Sequence, residues 1–385
     1  MHHPGFNKTE NYGSSKAATG AHASDYGPSS DVGTRAGTGT WNGPAPTGAR
    51  NPEAAAAAAA KPAVVYEATT ALLSTGQRMP MIGLGTFQLS SAAVVRKALE
   101  LGYRHFDCAA FYGNEAIVGE GLAEFIAAGR RSELFVTGKV WNTHHKPADA
   151  RASVQQSLKD LGLQQLDLVL VHWPEAWAAG SDPKGTVTPD DSVSLLDTWR
   201  GLEALVDEGL VSSLGLSNCS LAQVEEVLAA AKHKPVCNQV ELHPLLAQRK
   251  LVGVSYRKGV VSVAHTPWAG ARRSCWSTPW WRRLRQRRAR LLSRASVALF
   301  PTQVLLKYNM QRGVVVIPKA SSPEHLAANL QDMFSWRLNN KQKVLLDTMD
   351  TGRRFVDFPW KNWGDTEEGG VAKPSIVLAA GKGTA

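Results

Sequence analysis

Between residues 66 and 366 the chain repeats one pattern: short apolar runs alternate with longer stretches whose apolar residues recur at helical spacing. The runs 81–85, 105–107, 134–140, 166–172, 214–217, 237–240, 260–264 and 314–317 predict eight strands. The stretches 91–101, 115–128, 148–161, 195–208, 221–231, 246–258, 303–312 and 323–330 predict eight helices. Gly102, Gly129, Gly162, Gly209, Gly259 and Gly313 stand near the predicted helix ends, where a left-handed cap costs glycine little. Eight strand–helix units over roughly 250 residues predict an α/β fold, a closed (β/α)8 TIM barrel. The rival is an open doubly wound sheet, which calls for a GxGxxG turn after the first strand. The stretch GLGTFQ, with Gly83 and Gly85, lacks the third glycine.

The first 65 residues break the pattern. They are rich in Gly, Ala, Ser and Thr, run through seven alanines (Ala54 to Ala60) and show no apolar periodicity. Such a segment buries too little surface to offset its ordering entropy, so a disordered tail is expected. The rival reading is an organelle transit peptide, which would be rich in arginine and poor in acids. Here the acids Glu10, Asp25, Asp31 and Glu53 nearly balance the bases Lys8, Lys16, Arg35, Arg50 and Lys61. Residues 367–385 are read as a C-terminal tail. No apolar run approaches the ~18 residues that span a bilayer. Cys108, Cys219, Cys237 and Cys275 are scattered without a CxxC pair. That excludes a disulfide scaffold or a cysteine-rich zinc site and fits a reducing compartment, so the cytosol is expected.

The net charge of +10 first suggests a polyanion partner. Its distribution argues otherwise. Arg272, Arg273, Arg282, Arg283, Arg285, Arg287, Arg288, Arg290 and Arg294 lie in 268–301 with no acid among them, and they account for nearly all of the excess.

Polar and ionisable residues stand at successive predicted strand ends, the rim where a barrel of this kind keeps its site. Asp107 and Tyr112 follow the second strand, Lys139 lies in the third, and His172 and Trp173 close the fourth. Ser217 and Asn218 follow the fifth, and Asn238 and Gln239 lie in the sixth. A free phenol has a pKa near 10 and is a poor acid at neutral pH, but a neighbouring ammonium lowers it. An aspartate would hold that lysine charged, and a histidine would orient a carbonyl oxygen. The set suits general-acid catalysis of carbonyl reduction, with a nicotinamide supplying the hydride that no side chain can. Singly, each residue has a plainer role: an ordinary salt bridge, a core histidine, a packed loop tyrosine.

Residues 70–366 resemble the aldo-keto reductase family. The matching stretches are MPMIGLGTF (79–87), GYRHFDCAAFYGNE (102–115), TGKVWN (137–142), LVLVHWP (168–174), GLVSSLGLSNC (209–219), NQVELHP (238–244) and VVVIPKASSPEHLAANL (314–330), in family order. The resemblance implies a tetrad of Asp107, Tyr112, Lys139 and His172, with Tyr112 as the acid. Ser217, Asn218 and Gln239 would hold a nicotinamide carboxamide. Gly85 and Thr86 would border the cofactor, Phe87 and Trp173 the substrate pocket, and Lys319 and Asn329 the adenosine end. Trp173 could equally be core packing. Phe355, Phe358, Trp360 and Trp363 would form a pocket lid or a tail packed over the barrel. The implied activity is NADPH-dependent reduction of aldehydes and ketones by a monomer, with a small-molecule carbonyl substrate and neither nucleic acid nor membrane as partner.

Three positions depart from the family pattern. His265 replaces the tyrosine expected to stack on the nicotinamide. Ala320 and His325 stand where a hydroxyl and an arginine would clamp a 2′-phosphate, leaving Lys319 as a point charge and NADH as the alternative cofactor. Residues 268–301 read as foreign. A one-base shift turns CWSTPWWRR towards L-L-V-D-P-V-V-A-A, the family's text, because TGG tryptophan and CGN arginine codons shift to valine, leucine and alanine types. Compensating frameshifts are therefore expected there. The rivals are a solvated basic face and a basic helix with interleaved tryptophans that binds polyanions or anionic membranes. A barrel without its cofactor cover could also survive as a binding module.

Overall fold

The computed structural model describes residues 69–268, 301–358, 360 and 361. The expected tails, the segment 269–300 and Trp363 lie outside the described residues.

A short antiparallel hairpin, β1 (Thr70–Leu72) and β2 (Arg78–Pro80), comes first. Eight parallel strands come after it, each hydrogen-bonded to its neighbour in chain order. They are β3 (Leu84–Gly85), β4 (His105–Asp107), β5 (Phe135–Val140), β6 (Leu168–Val171), β7 (Leu214–Ser217), β8 (Cys237–Glu241), β9 (Val261–His265) and β10 (Val315–Val316). The ring closes: Gly83 N donates to Val316 O at 2.8 Å, Val316 N to Met81 O at 2.9 Å, and Gly85 N to Pro318 O at 3.1 Å. Strands β4 to β8 are buried at every position, as expected of parallel strands packed inside the ring and covered by helices outside. The barrel reading holds.

The helices are α1 (Ala92–Leu101), α2 (Glu115–Ala127), α3 (Pro147–Leu161), α4 (Leu195–Asp207), α5 (Leu221–Ala230), α6 (Arg249–Arg257), α7 (Pro301–Met310), α8 (Pro323–Leu330) and α9 (Asn340–Asp347). Ser194 and Ser220 open α4 and α5 with reciprocal capping boxes. Two glycines let α2 squeeze between its neighbours. A Cβ on Gly121 would lie 2.4 Å from Val95 Cβ of α1, and one on Gly119 would lie 2.4 Å from Asp160 O of α3.

Several boundaries differ from the sequence expectation for physical reasons. The first strand, expected over 81–85, pairs with β4 only at Leu84 and Gly85, because Met81 and Gly83 bond instead to the last strand. The helix expected over 246–258 begins at Arg249. Residues His243 and Leu246 exchange hydrogen bonds in a tight turn, and Gln248 is left-handed at φ +44°. The hairpin and α9 were not expected. The hairpin seals the barrel's N-terminal end, burying Ala71 and Met79, with Gln77 Nε2 donating to Asp167 O just ahead of β6.

Glu115, in the first turn of α2, is buried with Oε2 accepting from Ser157 Oγ at 2.8 Å. Burial pushes its carboxyl up to about 7 from 4.5, the Ser157 bond pulling the other way. Between those values the native protein keeps a proton that the unfolded chain has released. Stability therefore falls as pH rises through this window and stays lower above it. Glu115→Gln should flatten that slope and, at about pH 8, raise the unfolding free energy read from urea denaturation by as much as ~3 kcal/mol. An unchanged profile would refute the buried proton.

Candidate active site

The C-terminal strand ends bring the predicted polar residues together. Asp107 ends β4 and Lys139 lies in β5; both are buried and paired through Lys139 Nζ and Asp107 Oδ1. Lys139 Nζ also donates to Cys108 O at 2.8 Å and to the Tyr112 hydroxyl at 3.4 Å. Asp107 Oδ2 accepts from Gln239 Nε2 of β8 at 2.7 Å, across the barrel. Both carboxylate oxygens are thus held, as a buried charge requires. Burial opposes the lysine's charge, yet Asp107 and Tyr112 hold its pKa above the ordinary value.

Tyr112 ends a single 3-10 turn, Ala110–Tyr112, which Gly113 closes at φ +64°. The ammonium lies 5.1 Å from the phenol ring centre, and the His172 ring stands edge-on to it at 5.8 Å. The sequence predicts that Lys139 lowers the phenol pKa. The lysine does pull in that direction, but burial outweighs it and the phenol stands at about 12. Tyr112 is therefore protonated at neutral pH. Burial first, then Lys139 and His265, holds His172 well below its ordinary pKa, so its ring is neutral. Its Nδ1 is buried without a partner among the described residues.

Aromatic rings surround this group. Phe87, 46% exposed, meets Tyr112 at 5.1 Å. Phe111 stacks on Trp141 at 3.7 Å, and Trp141 meets His172 at 5.0 Å. Sequence reasoning did not single out Phe111 or Trp141, although they flank Tyr112 and Lys139 in two of the family-like stretches. Trp173 is 3% exposed and lies under Phe358 (5.7 Å) and Trp360 (4.9 Å) of the C-terminal segment. Trp360 also meets Trp177 at 4.6 Å.

The expected cofactor residues form a second layer. Thr86 Oγ1 donates to Asp107 O at 2.9 Å, and Gly85 bridges to Lys319, three residues beyond β10. Ser217 Oγ donates to Gln239 O at 2.9 Å. Asn218, left-handed at φ +56°, donates from Nδ2 to His172 O at 2.9 Å and to Ser217 Oγ at 3.2 Å. Its Oδ1 lies 3.1 Å from His265 Nε2, a contact that sequence could not reveal. The other His265 nitrogen lies 3.2 Å from Thr266 Oγ1, and Thr266, though β-branched, is left-handed at φ +51°. Burial takes His265 down to about 4, so it is neutral as well. At the far end Asn329, on α8, is buried with Nδ2 lacking a well-formed hydrogen bond. Lys319 is half-buried, 3.4 Å from Ser321 Oγ, and His325 is exposed. The polar layer of Thr86, Ser217, Asn218 and Gln239 beside the candidate tetrad fits the polar end of a cofactor. Among the described residues no cluster of His, Cys, Asp and Glu could hold a metal, and no helix is long and apolar enough to cross a membrane.

The family model of the Aldo/keto reductase family matches residues 81–350. The chain is 41% identical over 298 residues to aldo-keto reductase family 1 member A1-A of Danio rerio, covering 74% of this chain and 91% of that one. It is 39% identical over 300 residues to the Homo sapiens member A1, covering 75% and 91%. Among solved structures it resembles the aldose reductase of Schistosoma japonicum, with a TM-score of 0.66 and 35% identity over 74% of this chain and 93% of that one. The chain belongs to the aldo/keto reductase family, and the activity this membership supports is carbonyl reduction by an oxidoreductase.

Proposed function

We propose that this protein reduces aldehydes and ketones to alcohols with NADPH, Tyr112 supplying the proton. The observation that carries the reading is the buried Asp107–Lys139 pair aimed at a protonated phenol beside a neutral histidine. When bound, NADPH supplies the hydride to the carbonyl carbon. Tyr112 O–H and the His172 ring would hydrogen-bond the carbonyl oxygen, and as charge develops there Tyr112 gives up its proton. Lys139 steadies the phenolate left behind, and Asp107 and Gln239 keep the ammonium in place.

Ser217, Asn218 and Gln239 would orient the nicotinamide carboxamide, with His265, Gly85 and Thr86 bordering it. Lys319 and Asn329 would hold the adenosine end. Phe87, Trp141, Phe111 and Trp173 would exclude water from the reacting carbon. With His325 where an arginine would grip a 2′-phosphate, the preference for NADPH over NADH should be modest. We place the protein in the cytosol as a monomer.

The test is consumption of NADPH and of NADH with a panel of aldehydes, read together with equilibrium binding of each cofactor to the full chain. Turnover with NADPH supports the reading. Tight cofactor binding without turnover of any aldehyde would replace it with a binding module, and the absence of both would end it.

A further inference from the structure

The pocket's outer wall is held from a place that the catalytic group does not touch. Glu241 ends β8 two residues beyond Gln239 and is 1% exposed. Its Oε1 accepts from Phe355 N at 2.7 Å and its Oε2 from Val356 N at 3.0 Å. His243 Nε2 lies 2.8 Å from the same Oε1. The adjoining turn adds Leu245 O, which accepts from Thr351 N at 3.2 Å and Arg353 N at 2.9 Å. Burial works against the charge on Glu241, but His243 and these amides hold its pKa below the ordinary value. A buried carboxylate spending both oxygens on the backbone of one strap is a costly arrangement unless the strap must be held.

Just beyond that grip stands the aromatic wall. Val356, Phe358 and Trp360 pack against Trp141, Trp173 and Trp177, and Phe358 stacks on Trp360 at 5.1 Å. The far end is tied by a second carboxylate, Glu175, paired with Lys361. Trp141, a member of this cluster, also meets His172 edge-on at 5.0 Å.

We infer that Glu241 is a positioning residue for substrate selection: by clamping the amides of Phe355 and Val356 it fixes the aromatic wall that a bulky aldehyde must pack against. The inference rests on the carbonyl reductase reading. A small aldehyde reaches Tyr112 and His172 without touching this wall. A large aryl aldehyde needs it.

The variant is Glu241→Gln, which keeps the shape but loses the charge and one acceptor for the paired amides. In the full chain, amide hydrogen exchange at 355 and 356 should accelerate about tenfold, because local opening no longer breaks two charge-assisted bonds. KM for naphthaldehyde should rise about tenfold, while KM for propanal and kcat for both stay within about twofold. Unchanged exchange, or equal shifts in KM for the two aldehydes, overturns the proposal. If neither protein reduces any aldehyde, the reductase reading fails, while exchange still decides whether the clamp exists. Should Glu241→Gln fail to fold, Glu175→Gln at the other end must give the same split between aldehydes, and equal effects on both refute it.

Discussion

Replacing Tyr112 with phenylalanine should lower kcat for aldehyde reduction by about 10³-fold while leaving cofactor affinity within about twofold, since general-acid groups contribute roughly 10²–10⁴. The substitution removes one oxygen, 3.4 Å from Lys139 Nζ, and keeps the ring that packs on Phe87 and lies under the ammonium. Fold and cofactor layer should therefore survive. In the parent enzyme the phenol stands at about 12, so the rate should stay level across the neutral range and fall only on the alkaline side. Steady-state kinetics and a cofactor titration on the same preparation check both halves. Activity within tenfold of the parent would remove Tyr112 from the proton-donor role.

Lys139→Met should be more damaging still, because it harms both stability and chemistry. Methionine fills much the same volume but leaves Asp107 buried, with only the Gln239 bond at 2.7 Å left to its side chain. Breaking a buried pair from one side typically costs about 3–5 kcal/mol. The phenol would also lose the cation that pulls its pKa down, so residual activity should be lower than that loss of stability explains. Adding Asp107→Asn neutralises the stranded carboxylate. The double variant should regain part of the urea midpoint but none of the activity. A midpoint that does not move in Lys139→Met would show that the pair is not a buried charge pair.

The barrel was legible because its signal is redundant: eight apolar runs spaced by amphipathic stretches leave few other folds. The residues of the proposed tetrad could be singled out because they lie in long motifs at strand ends. What escaped depended on contacts distant in sequence or on elements too short for periodicity. Strands of three residues, such as Thr70–Leu72, carry no measurable alternation. The 3.1 Å approach of His265 to Asn218 joins residues far apart in the chain. The net direction of the Tyr112 shift needed the extent of its burial, which no motif supplies. Glu241 is visible in NQVELHP, but its partners are backbone amides of residues 355 and 356, which have no sequence signature.

The bonds that close the ring join Met81, Gly83 and Gly85 to residues 316 and 318 near the other end of the fold. During synthesis the first strand must therefore wait for almost the whole barrel to leave the ribosome. Until β10 arrives, the edges of β3 and β9 present unpaired amides and carbonyls, the kind of surface on which nascent chains stick to one another. Contacts this distant also make folding slow. Shielding of the nascent chain thus becomes a condition for the yield of active enzyme, set by the order in which its strands are made.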